Sequence, residues 1–385
     1  MVGRHSLLRF QVDAARNGEA FTHCAAAEPR AEAPGHNMSE AVEQRSIPSN
    51  YGDTGAEYAA VREGGAGLID LSSRGRILVS GTEAVPFLNG LITNDVKALE
   101  VGTWMPAAFP NVQGRLLAAI RVLNRGEDYL IDTEAITHAK VVQLLERFSL
   151  AGDFHVTDVT KDLAMISIQG GSAGAVISAT LGEAAATVER QRIVNAQLPN
   201  AGDVTVIRAS LTAEDGFDLF TGDDNACSLW DALIAAGARP VGLDVLEILR
   251  IEAGLPRYGV DMDDTTIVSE TNLDDAVSFT KGCYIGQEII ARIKYRGHVA
   301  KKLTGLLFDG EAKLEVGAKI RAADKEIGRI TSYVRSPALE RTVALAYVKY
   351  DFLAAGTRVK VVSPNEEIDA QVAELPFVRG SWYPS

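Results

Sequence analysis

The sequence predicts an α+β fold that ends in a small antiparallel β-barrel or sandwich, and two observations lead to this prediction. Before residue 297, strand-like segments of alternating apolar and polar residues are mixed with segments of helical spacing, which is typical of α+β domains. After residue 297, short alternating segments recur with Gly, Pro and Asp between them, a pattern typical of small barrels and sandwiches. We therefore predict an α+β region at 46–297 and a barrel-like domain at 298–385.

Residues 1–45 are predicted to form a mobile tail, because most of this segment is rich in Ala, Glu, Arg, Gly and Pro and lacks periodicity. Met38 lies just before the patterned sequence, so residues 1–37 also fit an over-extended start. No run approaches the ~18 apolar residues of a membrane-spanning helix, and the N-terminal apolar run is too short for a secretory signal. With three cysteines and no CxxC pair, we predict a cytoplasmic protein.

Hydrophobic spacing and turn residues predict the strands and helices of the α+β region. Alternation predicts the strands, and apolar residues three and four apart predict the helices. The predicted elements are, in order, strands at 67–81, a helix at 82–93 with Thr82 as its N-cap, a three-stranded meander between 103 and 133, a helix at 136–150, strands at 154–160 and 163–170, a helix at 171–182, a strand pair across 212–216, and two helices separated at 237–242.

The segment from Thr280 to Lys302 concentrates positive charge around one cysteine, in a chain whose net charge is −13. The segment contains six cations and a single acid, Glu288. The cations are Lys281, Arg292, Lys294, Arg296, Lys301 and Lys302. Isoleucines at helical spacing predict a short helix from Gly286 to Lys294, which places Cys283 just before the helix N-terminus. There the unpaired backbone N–H groups, the helix dipole and Lys281 would lower the thiol pKa below its usual ~8.5. Cys283 and Lys281 are therefore the candidate catalytic residues.

The glycines and the polar residues around Cys283 are candidates for shaping the turn and for binding a ligand or a partner. Gly282 and Gly286 can adopt left-handed backbone angles or let a ligand approach closely, and Gln287 and Glu288 can bond free N–H groups or position a partner. An alternative stays open, in which Cys283 is a small apolar loop residue and the cations form a solvated surface. A lone cysteine cannot hold a four-ligand metal site, so no metal is predicted.

The string KGCYIGQE at 281–288, which contains Tyr284 and is followed by Arg292, resembles the signature of the YgfZ-type proteins and their mitochondrial iron–sulfur assembly relatives. Four further segments resemble landmarks of the wider superfamily of the glycine cleavage T-protein, a folate-dependent aminomethyltransferase; they are LITNDVKALEVG, LTAEDGFDLF, RIEAGLPRYG and LPFVRGSWY. The resemblance covers about residues 51–383. It implies a three-domain cloverleaf with a central folate pocket and a C-terminal β-barrel.

The resemblance also implies a set of tetrahydrofolate-binding residues. Glu214 matches the acid that binds the pterin ring, and a carboxylate suits two N–H groups in a fork. The other candidates are Asn94, Arg250, Tyr258 and Trp382. Arg250 lies one helical turn beyond Leu246, the position where the folate-contacting arginine of the T-protein falls. Each has a structural alternative: Glu214 as a turn acid, Asn94 as a turn brace, and the aromatic residues as packing.

One departure from the T-protein affects the predicted reaction. The T-protein carries an Asp-Asp pair after a glycine, and Leu117, Ala118 and Ala119 stand where those acids would fall. A methyl side chain cannot orient an amine or exchange a proton. Aminomethyl transfer by the mechanism of the T-protein is therefore not expected.

Three functions follow from these features. The first, on the YgfZ-type resemblance, is a tetrahydrofolate-binding accessory protein that acts through Cys283 in the assembly or repair of iron–sulfur clusters, with assembly or client proteins as partners. The second is a folate-dependent aminomethyltransferase or demethylase with an altered catalytic group, and the third is a non-catalytic folate sensor. The acidic composition argues against non-specific nucleic-acid binding.

Overall fold

The computed structural model describes residues 47–383, apart from 148, 150–151, 200–201 and 364–365. The predicted tail at 1–45 lies outside the described residues. Within the described ranges, no helix has the length and apolar character needed to cross a membrane.

Eight α-helices occur in the described part of the chain. They are α1 (Thr54–Arg62), α2 (Ala84–Leu91), α3 (Ala135–Glu146), α4 (Ala173–Leu181), α5 (Glu183–Ala186), α6 (Ala226–Ala235), α7 (Leu243–Glu252) and α8 (Gln287–Arg296). Helix α1 begins where the Asp53 side chain accepts hydrogen bonds from the N–H groups of Gly55 and Ala56, which satisfies two of the donors left free at a helix start. The predicted break at 237–242 is confirmed, since it separates α6 from α7.

A six-stranded mixed sheet has the order β11-β1-β7-β10-β9-β8. Its strands are β1 (Gly67–Asp70), β7 (Leu163–Gln169), β8 (Ile193–Leu198), β9 (Gly202–Arg208), β10 (Gly216–Gly222) and β11 (Arg239–Pro240). Only the β1–β11 pair is parallel among the described strands. The predicted strand pair across 212–216 is confirmed as β9 and β10, and the turn between them carries Glu214.

A five-stranded antiparallel sheet has the order β3-β4-β5-β2-β6. Its strands are β2 (Gly75–Ser80), β3 (Thr103–Pro110), β4 (Leu116–Asn124), β5 (Tyr129–Thr133) and β6 (His155–Asp158). The predicted meander is confirmed as β3, β4 and β5. The predicted N-cap Thr82 is wrong, because α2 is capped at Glu83 and Thr82 instead bonds Asp153.

The two sheets face each other across a shared apolar core. Residues of both sheets meet there, such as Ile69 and Met165 from one and Leu123 and Leu130 from the other, together with residues of α1 and α7. The outer face of the six-stranded sheet packs against α4 and α6, and that of the five-stranded sheet packs against α2 and α3. The chain thus forms helix and sheet layers, as expected when each sheet must bury both faces.

A closed six-stranded antiparallel barrel forms the C-terminal part, in the order β12-β15-β14-β13-β16-β17. Its strands are β12 (Lys301–Phe308), β13 (Lys319–Ala322), β14 (Lys325–Ser336), β15 (Arg341–Lys349), β16 (Arg358–Val362) and β17 (Glu367–Ala373). Closure leaves no free sheet edge. The predicted barrel is confirmed, and a sandwich is excluded. Helix α7 packs on the barrel through Ile251.

A buried ionic bridge joins the two sheets. Arg121 on β4 donates from Nε to Asp132 at 2.7 Å and from Nη1 to Asp218 on β10 of the facing sheet. Asp132 also accepts from Arg74, and both aspartates are fully buried. Burial by itself would raise the pKa of Asp132, but Arg121 and Arg74 outweigh it and lower the pKa to about 2. The bridge therefore couples the sheets only while its partners stay charged.

Replacing Arg121 by methionine should leave two buried carboxylates without their shared partner. We expect the Arg121→Met variant to lose about 3–5 kcal/mol of unfolding free energy at pH 7, the usual cost of breaking a buried pair. Urea denaturation followed by circular dichroism measures this loss. The matched control is Arg125→Met, since Arg125 pairs with Asp128 near the surface and exposed pairs contribute at most about 1 kcal/mol.

The cost of Arg121→Met should also depend on pH. Because the pKa of Asp132 is lowered on folding, its contribution is complete above pH ~4 and is lost as the pH falls towards 2. The difference between wild type and Arg121→Met should therefore shrink over that window. A difference that stays constant from pH 6 to 2 would contradict the assignment.

Candidate functional site

Cys283 lies on the turn that precedes α8, and its thiol is free and exposed. The helix begins at Gln287 after the N-cap Gly286, so the predicted placement of Cys283 before a helix N-terminus is confirmed. The sequence-based expectation that this thiol ionises easily stays a prediction.

Lys281 has a different position from the one predicted for a thiolate partner. Its side chain is buried, and its ammonium donates to the carbonyl oxygens of Asn89, Ile92 and Asn94 at 2.6–2.9 Å. These carbonyls end α2 and begin the next loop, where helix C-termini attract cations. Burial lowers the pKa of Lys281 to about 8. We therefore correct its role: Lys281 anchors the cysteine turn to α2, and its three hydrogen bonds leave no donor for Cys283.

Gly286 is required by the backbone of the turn. Its φ is +77°, and a Cβ at this position would lie 2.3 Å from the carbonyl oxygen of Asn111. A side chain is therefore excluded on both conformational and steric grounds. At Gly282, by contrast, a Cβ would meet nothing within 4 Å, so space does not require a glycine there.

Tyr284, Gln287 and Glu288 complete the cysteine motif. Tyr284 is buried, its ring lies 5.0 Å from the Lys281 ammonium, and burial raises its pKa to about 12. The backbone N–H of Gln287 donates to the carbonyl of Tyr284, and Glu288 is exposed on the first turn of α8. The motif is thus a hydrogen-bonded turn that exposes the thiol of Cys283 at the surface.

The six cations do not form one anion site around the thiol, which corrects the sequence-based expectation. Lys281 is buried, Lys301 lies over the ring of Tyr347 at 5.0 Å in the barrel, and Lys302 pairs with Asp274 at 3.7 Å. The remaining three, Arg292, Lys294 and Arg296, are exposed on α8. Lys294 also lies over Phe279.

Glu214 lies in the turn between β9 and β10, and its carboxylate is fixed by two sets of contacts. Arg62 of α1 donates to Oε1 at 3.0 Å. Oε2 accepts from the backbone N–H of Ser381 at 2.8 Å and from its hydroxyl at 2.7 Å. With 8% of the residue exposed, Glu214 is a buried carboxylate at the centre of the molecule.

Arg62 also binds a second carboxylate, Glu252 at the end of α7. The two side chains make contacts of 3.0 and 3.1 Å, and Glu252 further accepts from Tyr58 and from Ser336 of the barrel. Burial by itself would lower the pKa of Arg62, but the two carboxylates raise it. No sequence motif pointed to Arg62; its i, i+4 spacing from Tyr58 on α1 was the available signal.

Arg250 does not face a ligand site. Each of its three nitrogen atoms donates to the protein: Nε and Nη2 to Glu247, and Nη1 to Asp261 and the carbonyl of Leu255. Asp261 also accepts from Thr331 and Ser332 of β14. This placement counts against the predicted folate contact, and we correct the role of Arg250 to holding α7 against the barrel.

Tyr258 is buried among apolar residues, and its hydroxyl donates to the carbonyl of Leu116 at 3.3 Å. Burial, with Asp264 and Asp263 nearby, raises its pKa to about 12. The packing alternative therefore describes Tyr258 better than a folate contact. Ala119 packs in the same cluster, so an apolar side chain occupies the position where the T-protein resemblance places an acid.

A polar cavity of about 520 Å³ opens between β3 and three loops. Its lining combines an amide, an indole, two cations and three carboxylates; they are Asn94, Trp104, Arg190, Arg192, Asp95, Glu100 and Asp275. Asn94 donates from its amide to the carbonyls of Pro106 and Asp275, so it braces the wall of the cavity that it lines. Sequence reasoning missed Trp104 and both arginines.

Trp382 connects this cavity to Glu214. Its ring stacks on the guanidinium of Arg190, with 3.9 Å between the guanidinium carbon and the ring centroid, and Arg190 also donates to the Trp382 carbonyl. The backbone N–H of Trp382 donates to Ala213 in the turn that carries Glu214. Arg190 thus links the cavity lined by Asn94 to Trp382, and Trp382 contacts the turn that carries Glu214, although Glu214 and Trp382 do not themselves line the cavity.

Comparison with known proteins identifies related sequences. Residues 30–281 match the GCVT N-terminal domain, and residues 301–379 match the glycine cleavage T-protein C-terminal barrel domain. An aminomethyltransferase of Alcanivorax borkumensis is 32% identical over 335 residues, which cover 86% of this chain and 90% of the relative. One of Bacillus mycoides is 29% identical over 341 residues, 87% of this chain and 92% of the relative.

A solved structure supports the fold. The crystal structure of glycine cleavage system aminomethyltransferase T from Bartonella henselae superimposes with a TM-score of 0.78 at 24% identity, covering 86% of this chain and 92% of that one. The T-protein-like fold with a C-terminal barrel is thus confirmed. The narrower YgfZ-type resemblance depends on the string at 281–288 and stays a prediction.

The two glycines of the cysteine turn provide a matched test of its geometry. We expect Gly286→Ala to lose about 2 kcal/mol or more, because alanine at positive φ costs ~1–2 kcal/mol before the clash with Asn111 is added. Gly282→Ala should stay within about 0.5 kcal/mol of wild type, as for an unconstrained surface site. Thermal unfolding of both variants measures this, and equal losses would contradict the assignment.

Proposed function

This chain belongs to the glycine cleavage T-protein family, and from that premise we propose that it binds a tetrahydrofolate derivative and acts as a one-carbon transferase of the aminomethyltransferase type. Two of the family's domain models together match most of the chain, and relatives that cover more than four-fifths of it bear the name aminomethyltransferase. The single observation that carries the proposal is Glu214, a buried carboxylate held in position at the T-protein landmark turn.

The described residues fit a folate chemically. A folate joins a flat ring that carries N–H donors to a tail that ends in glutamate carboxylates. Glu214 is a carboxylate suited to paired N–H donors, and Trp104 and Trp382 are aromatic surfaces. Three carboxylates, Asp95, Glu100 and Asp275, line the cavity beside Arg190 and Arg192. Because Arg192 pairs with Glu100 at 3.4 Å, Arg190 is the cation proposed for the tail. The cavity volume of about 520 Å³ lies within the usual range of small-molecule sites, about 300–1,000 Å³. Glu214 and Trp382 lie outside its lining, and Trp382 contacts it through Arg190.

The residues of this chain would bind and orient the folate and the group that it carries. Arg62 fixes the Glu214 carboxylate through Oε1, so the carboxylate would keep its orientation when the ring binds. When bound, the folate supplies the nitrogen atoms that carry the one-carbon unit. Ala118 and Ala119 supply no acid, so any proton transfer must use another group, and this is the main difference from the T-protein.

A second candidate function is supported by Cys283. Its free, exposed thiol lies on a turn held by Lys281 and Gly286, whereas a structural cysteine would be buried. This favours an accessory role in iron–sulfur cluster assembly or repair, in which the thiol meets a cluster or a partner protein. Tetrahydrofolate binding is common to both candidates.

The folate proposal is tested at Glu214. We expect Glu214→Gln to weaken the binding of 5-formyltetrahydrofolate about tenfold or more, because hydrogen bonds to a charged group contribute ~1.5–3 kcal/mol. Isothermal titration calorimetry measures the affinity. Glu315→Gln, an exposed barrel-loop substitution, is the control and should bind as wild type. Equal affinity of Glu214→Gln and wild type would remove the main support for the proposal.

Cys283→Ala separates the two candidate functions. If the chain is a transferase, purified protein with tetrahydrofolate and an aminomethyl donor turns over, and Cys283→Ala does so at the same rate. If it is a cluster accessory, turnover is absent, and Cys283→Ala lowers the activity of iron–sulfur enzymes in complemented cells. The exposed position of Cys283 predicts that the substitution changes stability by no more than about 0.5 kcal/mol.

A further inference from the structure

The C-terminal segment Gly380–Tyr383 contacts the same groups that the proposed folate site needs. The backbone N–H and the hydroxyl of Ser381 both donate to Oε2 of Glu214. This pair of donors occupies one of the two carboxylate oxygens that the N–H groups of a pterin ring would use. The hydroxyl of Ser381 also accepts from the N–H of Asp215 at 2.9 Å. The backbone N–H of Trp382 donates to the carbonyl of Ala213 in the same turn.

The segment also engages Arg190, one of the two cations that line the cavity. The guanidinium of Arg190 stacks on Trp382 and donates to the Trp382 carbonyl. Glu214 and Arg190, the acceptor and one of the donors proposed for folate, are thus both engaged by neighbouring residues of one segment.

The backbone around Gly380 brings the segment close to Glu214. A Cβ on Gly380 would lie 2.2–2.6 Å from the carboxylate atoms of Glu214, so the main chain passes the carboxylate at a distance that only glycine permits. Upstream, the N–H groups of Phe377 and Val378 donate to the main-chain carbonyl of Glu252. The segment is therefore held at its base as well as at its end, although Ser381 itself is exposed.

From these contacts we propose that Gly380–Tyr383 is an internal competitor of the folate: it occupies Glu214 and Arg190 in the free protein and must leave them when the ligand binds. This inference rests on the proposed function. It differs from the sequence-based prediction that Trp382 contacts folate, since a residue that lines the ligand should become more ordered on binding and a competitor should become less ordered.

The first measurement uses the full chain and 5-formyltetrahydrofolate as the probe. Ser381→Ala removes the hydroxyl donor to Glu214 and should bind the probe about three- to tenfold more tightly than wild type in calorimetry, because one competing hydrogen bond is lost. The matched control is Ser228→Ala, an exposed serine on α6, which should bind as wild type. Tighter binding by Ser381→Ala, with unchanged binding by Ser228→Ala, supports the competition between the segment and the folate.

Hydrogen exchange gives a second readout that needs no substitution. Saturating probe should speed exchange of the Ser381 and Trp382 amides, which lose their acceptors, Glu214 and Ala213. Slower exchange of these amides, or weaker binding by Ser381→Ala, would overturn the inference and make the segment part of the pocket wall. Unchanged affinity together with unchanged exchange would also overturn it, while folate binding by wild type stands. If neither wild type nor Ser381→Ala binds the probe, the proposed function itself fails.

Discussion

The ion pair of Arg62 with Glu252 is the contact on which the centre of the molecule depends. Arg62 ends α1 and Glu252 ends α7, the helix that packs on both the facing sheets and the barrel. The carboxylate of Glu252 is fully buried and also accepts from Ser336 of the barrel. A buried carboxylate without its cation is strongly unfavourable, so the two helices and the barrel can meet here only in one arrangement. Glu214 takes its position from the same guanidinium.

Much of the fold could be predicted from the sequence because its signals are local. Alternation predicted the meander β3–β5 and the barrel strands, and Gly237–Gly242 predicted the break between α6 and α7. The N-cap of α2 could not be predicted, since Thr82 is a good N-cap residue whose hydroxyl instead meets Asp153, 71 positions along the chain. Alternation alone left a barrel and a sandwich open, because pairing of β12 with β17 is a long-range choice that it does not encode; the family resemblance indicated the barrel.

For the candidate site, the sequence identified the chemistry better than the geometry. Cys283 and Glu214 stand where their motifs place them, one exposed before a helix and one in a turn. Lys281 was assigned to the Cys283 thiolate from its nearness in sequence, and Arg250 to folate from the T-protein resemblance. Both instead bind protein oxygen atoms, because a buried cation must find acceptors wherever the tertiary fold supplies them. Arg62 and Arg190 belong to no motif, and their partners lie more than 150 positions away.

The apolar residue at position 119 of β4 suits the same demand for charge balance. Side chains two residues apart on a strand point to one face, so Ala119 and Arg121 share the face that meets the other sheet. Arg121 already neutralises two buried aspartates there. A further carboxylate at position 119 would be held in apolar surroundings beside Tyr258, and burial would raise its pKa. The apolar residue keeps the cluster around Tyr258 neutral, whereas Glu214 can stay charged because Arg62 pairs with it.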